Sequence, residues 1–364
     1  LASFLLTGFG VVSVYSASAI IAMDRHQDPY FFLRRQMLFA IFGVLAMLVA
    51  VQIDYRQLQR WVPLNLVITL ILLGSVFVPV LGKEAGGARR WLQVGRFSFQ
   101  PAELGKLSLV LYLADRLAAQ QSWRGQFNRH DLFLAGIIGM LFLGTLLQPD
   151  LGTAVLLLEI AVIVLFIGGV PLRHIVSLLV VTLPFLYVAL VYVGFRWQRL
   201  LAFWDPWADP LGDGFQIIQS LIAVGTGGVF GKGVMAGVQK LFYLPEPHND
   251  FIYAVIGERY GFAGAALVLS LYALLIWRAL RIMTLSKNLY GAIIAGSIAA
   301  MLMFHVFINV GMNIGIAPIT GIPLPLMSSG GSSVIVTFLA IGLLQSIYVQ
   351  SQLASRSRED PLLR

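Results

Sequence analysis

In the stretch YLPEPHNDFIYAVIGERYG, residues 243–261, the side chains of Glu246, His248, Asn249 and Asp250 crowd together just before a long apolar run. Asn249 or Asp250 has the right chemistry to cap the helix that follows. A carboxylate partly desolvated at a membrane surface also binds a proton more readily, which suits it to act as a general base. In FQPAELGKLSL, Glu103 and Lys106 are three residues apart and share a helix face. They either neutralise each other as an ion pair or leave Lys106 to hold an anion. In LLQPDLGTAVLL, Asp150 follows Pro149 and either caps the next helix or contributes to a polar site. Glu159 lies nine residues deeper in that segment, where a carboxylate needs a partner that no sequence feature names. Glycines 225, 227 and 228 serve either as turn punctuation or as a source of free amides for an anion. Finally, GIPLPLMSSGGSSVIV sets Pro323 and Pro325 ahead of Ser328, Ser329, Gly330, Gly331, Ser332 and Ser333. Such irregular backbone survives at membrane depth only when it is buried in protein or lines a cavity.

The elements that must position these groups are membrane helices. Hydrophobic residues make up 58% of the 364 and charged ones 12%, with a mean hydropathy of +0.84, far outside the range of soluble chains. A helix needs about 20 mostly apolar residues to cross a bilayer, and ten segments approach this: 1–22, 36–53, 62–82, 101–119, 132–148, 151–170, 174–194, 251–277, 289–312 and 331–350. The expected fold is therefore an all-α integral membrane protein of ten transmembrane helices, with one large loop, 195–250, between the seventh and eighth. Within that loop, residues 215–224 read as a short amphipathic or re-entrant piece, and Trp197, Trp204 and Trp207 suit an interfacial belt. An even number of spans puts both termini on one side. The loops on the other side, 23–35, 83–100, 149–150, 195–250 and 313–330, hold nearly all the motifs. Lys and Arg are shared almost evenly between the two sides, so the charge rule assigns no orientation; the cations of the motif-bearing side point to an anionic ligand. The chain has no cysteine, which excludes disulfides, thiolate metal sites and cysteine nucleophiles.

Taken together, VYSASAI, DPYFFLRRQ, FSFQPAELGKL, LQPDLGTAV, RLLAFWDPWADPLGDGFQIIQS, LPEPHNDFIYAVIGE and GIPLPLMSSGGSS resemble the SEDS family of bacterial peptidoglycan glycosyltransferases, typified by FtsW and RodA. The likeness extends over essentially the whole chain as a single polytopic domain. YSASAI, AFWDPWADP and YLPEPHNDFIYAVIGE look like the FtsW type, toward which the reading leans, and NVGMNIGIAPITGIPLP looks like the RodA type. The family's usual tyrosine after the first serine of its last motif is replaced by Ser329, which leaves no aromatic role there.

The resemblance implies cytoplasmic termini, a multi-pass place in the bacterial inner membrane, and an active site facing the periplasm or cell exterior. It implies polymerisation of lipid II during division or elongation. Asp250 matches the family's essential acidic residue, the candidate general base. Lys106, Glu103 and Asp150 match polar residues of its central cavity, and Arg199, Lys240, Ser328 and Ser332 fall on motif positions; His248 stands beside Asp250 as a further substrate-binding candidate. A divalent cation, Mg or Mn, is a candidate cofactor with no assigned ligands. Implied partners are lipid II and the nascent lipid-linked glycan, a class B penicillin-binding protein, and other divisome or elongasome membrane proteins, with no nucleic acid. Two other readings stand beside this one: a lipid II flippase, and a non-catalytic scaffold for a penicillin-binding protein. No internal repeat of the kind alternating access uses is visible.

Overall fold

Each of the ten apolar segments forms a helix in the computed structural model, which describes residues 1–359 apart from 86–87, 96, 120–128, 192–193, 234–243 and 245–246. In chain order the described helices are α1 (Ala2–His26), α2 (Phe31–Gln52), α3 (Val62–Ser75), α4 (Pro101–Ala119), α5 (Arg129–Leu146), α6 (Leu151–Ile167), α7 (Leu172–Val191), α8 (Gly194–Trp204), α9 (Phe215–Thr226), α10 (Ile252–Leu285), α11 (Leu289–Asn313) and α12 (Gly331–Glu359). Among the described residues, seven stretches are long and apolar enough to cross a membrane: α1, α2, Gln57–Ser75, α7, α10, α11 and the Gly331–Ala354 part of α12. The other three segments differ for visible reasons. Glu103, Lys106, Asp115 and Arg116 interrupt α4, and α5 and α6 are short. The 17 residues of α6 rise only about 26 Å at about 1.5 Å per residue.

The all-α fold carries one small sheet in addition to its helices. The stretch after α3 folds into three antiparallel strands, β1 (Gly82–Ala85), β2 (Ala88–Val94) and β3 (Phe97–Phe99), in the order β1-β2-β3. Lys83 pairs with Trp91, and Gln93 with Ser98. The signal was a Gly86-Gly87 pair in the sequence between two short polar runs, which marks a hairpin. The segment expected to run to residue 82 accordingly stops as a helix at Ser75.

Contacts divide the chain into two compact units. The first comprises Leu1–Ile41, Pro184–Leu275 and Leu302–Val334; the second comprises Phe42–Leu183, Ile276–Met301 and Ile335–Arg364. Within the first, α8, α9 and the start of α10 share an apolar cluster of Ala202, Ile217, Ala223, Leu244, Phe251, Ala254 and Ile319. Burying these side chains stabilises the unit by about 25 cal/mol for each Å² of apolar surface removed from water. Helix α9 confirms the short element expected at 215–224. Within the second unit, Gly342 of α12 lies so close to α2 that an added Cβ would sit 2.7 Å from the Ala50 Cβ and the Met47 carbonyl oxygen. Small residues commonly permit such approach where hydrocarbon supplies no hydrophobic drive. Beyond Arg173, the exposed side chains of α7 are apolar, among them Val180, Val181, Leu183, Tyr187 and Val188, as suits a face turned to lipid.

Candidate active site

Asp250 occupies the turn that leads into α10, partly exposed, with Phe251 buried beside it. Its carbonyl oxygen accepts from Asn309 Nδ2 and Asn313 Nδ2, each at 3.0 Å. Both asparagines are fully buried and stand one turn apart on α11. Asn309 Nδ2 also reaches the Ile322 carbonyl at 2.8 Å, and the Ala254 amide donates to Asn313 Oδ1 at 2.9 Å. The first turn of α10 is thus capped at Ala254 by a side chain from α11, which also fixes the backbone that carries Asp250. Gly321, at φ +72°, stands beside the carboxylate: a Cβ there would be in ordinary contact with Asp250 Oδ2, at 3.5 Å. The left-handed conformation is what favours glycine there.

The other candidates in this unit hold the surrounding backbone. His248 is 1% exposed, its ring centroid 4.2 Å from that of Phe32, and its carbonyl accepts the Ser329 amide at 2.9 Å. The buried Ser328 hydroxyl accepts the Leu324 amide at 2.8 Å, while the Ser328 carbonyl takes Gln36 Nε2 at 3.1 Å. These bonds keep the irregular stretch 313–330 folded and satisfied, as the bilayer demands. Ser332 is buried in the first turn of α12, and Arg199 is half-buried on α8. Lys240 and Glu246 lie outside the described residues.

A second polar group belongs to the other unit. Lys106 Nζ donates to Glu103 Oε1 at 2.8 Å, and the two side chains are 2% and 5% exposed, so the expected ion pair is present. Asp150 is the N-cap of α6: its carboxylate accepts from the Thr153 amide at 3.3 Å and the Thr153 hydroxyl at 2.9 Å. The same carboxylate takes Gln100 Nε2 at 2.9 Å and faces Arg90 Nη1 at 3.7 Å. Arg90 Nη2 donates to the Pro149 carbonyl at 2.6 Å. Asp150 therefore ties strand β2 and the start of α4 to the α5–α6 corner. Deeper in α6, Glu159 Oε2 is buried with no hydrogen-bond partner among the described residues.

Charge within apolar sequence singled out Asp250, Lys106 and Asp150 as candidates. Asn309, Asn313, Arg90 and Gln100 were missed; the first two had a visible signal, two amides at i and i+4 in an apolar span. Among the described residues no group of three or more His, Asp and Glu is placed to hold a metal ion.

Comparison with known proteins follows the same outline. The family model for FtsW, RodA and SpoVE, described as cell cycle protein, matches residues 1–353. Stage V sporulation protein E of Bacillus subtilis (strain 168) is 41% identical over 345 residues, covering 95% of this chain and 94% of that protein. The probable peptidoglycan glycosyltransferase FtsW of Geobacter sp. (strain M18) is 42% identical over 344 residues, covering 94% of each. Among solved structures, a chain from a study of how a peptidoglycan synthase complex coordinates polymerization and crosslinking aligns with a TM-score of 0.74 at 32% identity. It covers 95% of this chain and 97% of its own. The Thermus thermophilus rod shape determining protein RodA aligns with a TM-score of 0.70 at 29% identity, covering 96% of this chain and 95% of that one.

Proposed function

The chain belongs to the FtsW, RodA and SpoVE family and is a peptidoglycan glycosyltransferase; we propose that it polymerises lipid II, with Asp250 as general base. The observation that carries the assignment of the base is the setting of Asp250, a partly exposed carboxylate on backbone pinned by two buried asparagines. In this reading the sugar 4-hydroxyl of the acceptor lipid II attacks the anomeric carbon of the lipid-linked donor. An Asp250 oxygen takes the hydroxyl proton as the new glycosidic bond forms. The bond from the anomeric carbon to the pyrophosphate oxygen breaks, and undecaprenyl pyrophosphate leaves with that electron pair, inverting the anomeric centre. Fixing the base in advance spares the reaction the cost of orienting it.

Lys106 is the cation we propose for the developing pyrophosphate charge, an electrostatic role of the kind that dominates group transfer. Its charge is matched by Glu103 at rest, so that role requires the anion to compete with a buried carboxylate. No step of this reading passes through a metal ion. The arrangement we propose is a single domain of ten spans in the bacterial inner membrane, with cytoplasmic termini and residues 195–250 outside. The relative solved within a peptidoglycan synthase complex supports a class B penicillin-binding protein as partner. The test is to reconstitute the purified protein with lipid II. Lipid-linked glycan longer than the disaccharide unit is the expected product; lipid II moved across the bilayer without polymer would identify a transporter instead.

A further inference from the structure

Helix α10 is broken at Gly261, whose φ of 66° and ψ of −162° are not helical. In an unbroken helix the amides of residues 262 and 263 would bond to the carbonyls of residues 258 and 259. Here those four groups all find partners in residues 227–233, the stretch that begins where α9 ends. The Phe262 amide donates to the Gly228 carbonyl at 2.9 Å and the Ala263 amide to the Val229 carbonyl at 3.0 Å. In return the Lys232 amide donates to the Glu258 carbonyl and the Gly233 amide to the Arg259 carbonyl, both at 3.0 Å. The stretch is threaded into the break and replaces the two lost helical bonds with four, one for each freed group.

Sterics make each side a condition of the other. A Cβ at Gly227 would overlap the Gly257 carbonyl oxygen, one at Gly231 the Arg259 carbonyl oxygen, and one at Gly261 the Gly231 nitrogen. Gly228 and Gly233 have open space where a Cβ would go, but at φ +58° and +90° they too hold a left-handed backbone that favours glycine. The inner half, residues 252–260, is also tied to α1. The Arg259 guanidinium, 1% exposed, donates through Nη2 to the Ser16 carbonyl at 2.6 Å, and the Tyr260 ring lies 4.9 Å from that of Phe9. At its other end this short segment begins next to Asp250, whose carbonyl the two asparagines of α11 hold.

We infer that residues 227–233 and the break at Gly261 form one positioning element, which sets the inner half of α10 independently of the outer half and so places Asp250. Its functional half rests on Asp250 being the base; its structural half does not. Splitting the helix frees the segment that carries the carboxylate from the tilt and rotation of residues 262–285, and the glycine stretch locks the setting by backbone bonds alone. Gly231 and Gly261 are positioning residues in this scheme, acting through Asp250 without touching substrate.

The experiment is a series in the full-length protein in lipid nanodiscs: Gly8→Ala as the control, Gly231→Ala and Phe262→Pro. The last removes one donor of the exchange at the first position of the outer helix, where proline is tolerated, and it serves should Gly231→Ala fail to fold. Two readouts are taken, hydrogen exchange at Ala263 and its neighbours and the kinetics of lipid II polymerisation. For Gly231→Ala and Phe262→Pro, exchange should speed up at the break. Their kcat should fall about a hundredfold, the scale on which misplacing a group by about an ångström acts, with KM changed less than about twofold. Gly8→Ala, on α1 with open space where a Cβ would go, should keep both protection and kcat near those of the parent. Protection unchanged in Gly231→Ala and Phe262→Pro would overturn the structural half. Faster exchange with kcat unchanged would overturn the positioning role. Loss of polymerisation by the parent protein itself, with the exchange pattern as expected, would instead fault the assignment of the reaction.

Discussion

At the residue scale, the polar groups of this chain fall into those that hold structure and those left to act on a ligand. Asp150 accepts from Thr153 and Gln100 and faces Arg90, so its measurable role is that of a cap and latch. Asp150→Ala should cost about 0.5–2 kcal/mol, the usual penalty for a lost N-cap, as a lower midpoint in thermal unfolding. Lys106 and Glu103 pose a sharper question. Removing one member of a buried pair costs about 3–5 kcal/mol, whereas removing both is far milder. Lys106→Ala is therefore expected to lose stability, and the Lys106→Ala, Glu103→Ala double variant to regain most of it. If Lys106 meets pyrophosphate, the double variant stays inactive in lipid II turnover although stable; recovery of parental turnover would reduce the pair to charge neutralisation. Asn313→Ala strips a donor from the Asp250 carbonyl and an acceptor from the Ala254 amide. It should cost about 1–3 kcal/mol and slow polymerisation, read from thermal unfolding and product yield. Charged residues were legible because each stands out against apolar neighbours. Asn309 and Asn313 were not, since an uncharged amide in a span has several bland explanations and its partners, Asp250 and Ile322, are distant or irregular in the sequence.

At the scale of elements, every one of the ten apolar runs became a helix, because long apolar stretches must satisfy their own backbone bonds. The hairpin at residues 82–99 was not legible from hydropathy, since its strands are short and polar, and only the Gly86-Gly87 pair marked it. Nor was the break in α10: GERYGFAG reads as helix with tolerated glycines, and the partner that stabilises Gly261 comes from residues 227–233. Close packing of α2 and α12 at Gly342 gives a direct check. Gly342→Leu forces a side chain against Met47 and Ala50 and should destabilise the second unit by about 1–3 kcal/mol or more, as overpacking does. The readout is thermal unfolding in detergent, and an unchanged midpoint would mean that the two helices are not in contact there.

For the molecule as a whole, composition established the membrane setting, while the near-even spread of Lys and Arg withheld the orientation. The charge rule describes cytoplasmic loops, and it is blurred when the opposite face must also attract an anionic lipid-linked substrate. The chain contains no Ser-x-x-Lys sequence, the arrangement that carries the acyl-enzyme serine of penicillin-binding enzymes. In the proposed division of labour, crosslinking comes from the penicillin-binding partner. A fluorescent penicillin is expected to leave this chain unlabelled, and the drug to block crosslinking by the reconstituted pair while glycan polymerisation continues. Covalent labelling of this chain would contradict that division. The most direct test of the account compares lipid II polymerisation by the purified parent protein and by Asp250→Asn, matched for folding by thermal unfolding. The account predicts glycan polymer from the parent and none above background from the folded Asp250→Asn protein; near-parental polymer yield from that variant would contradict it.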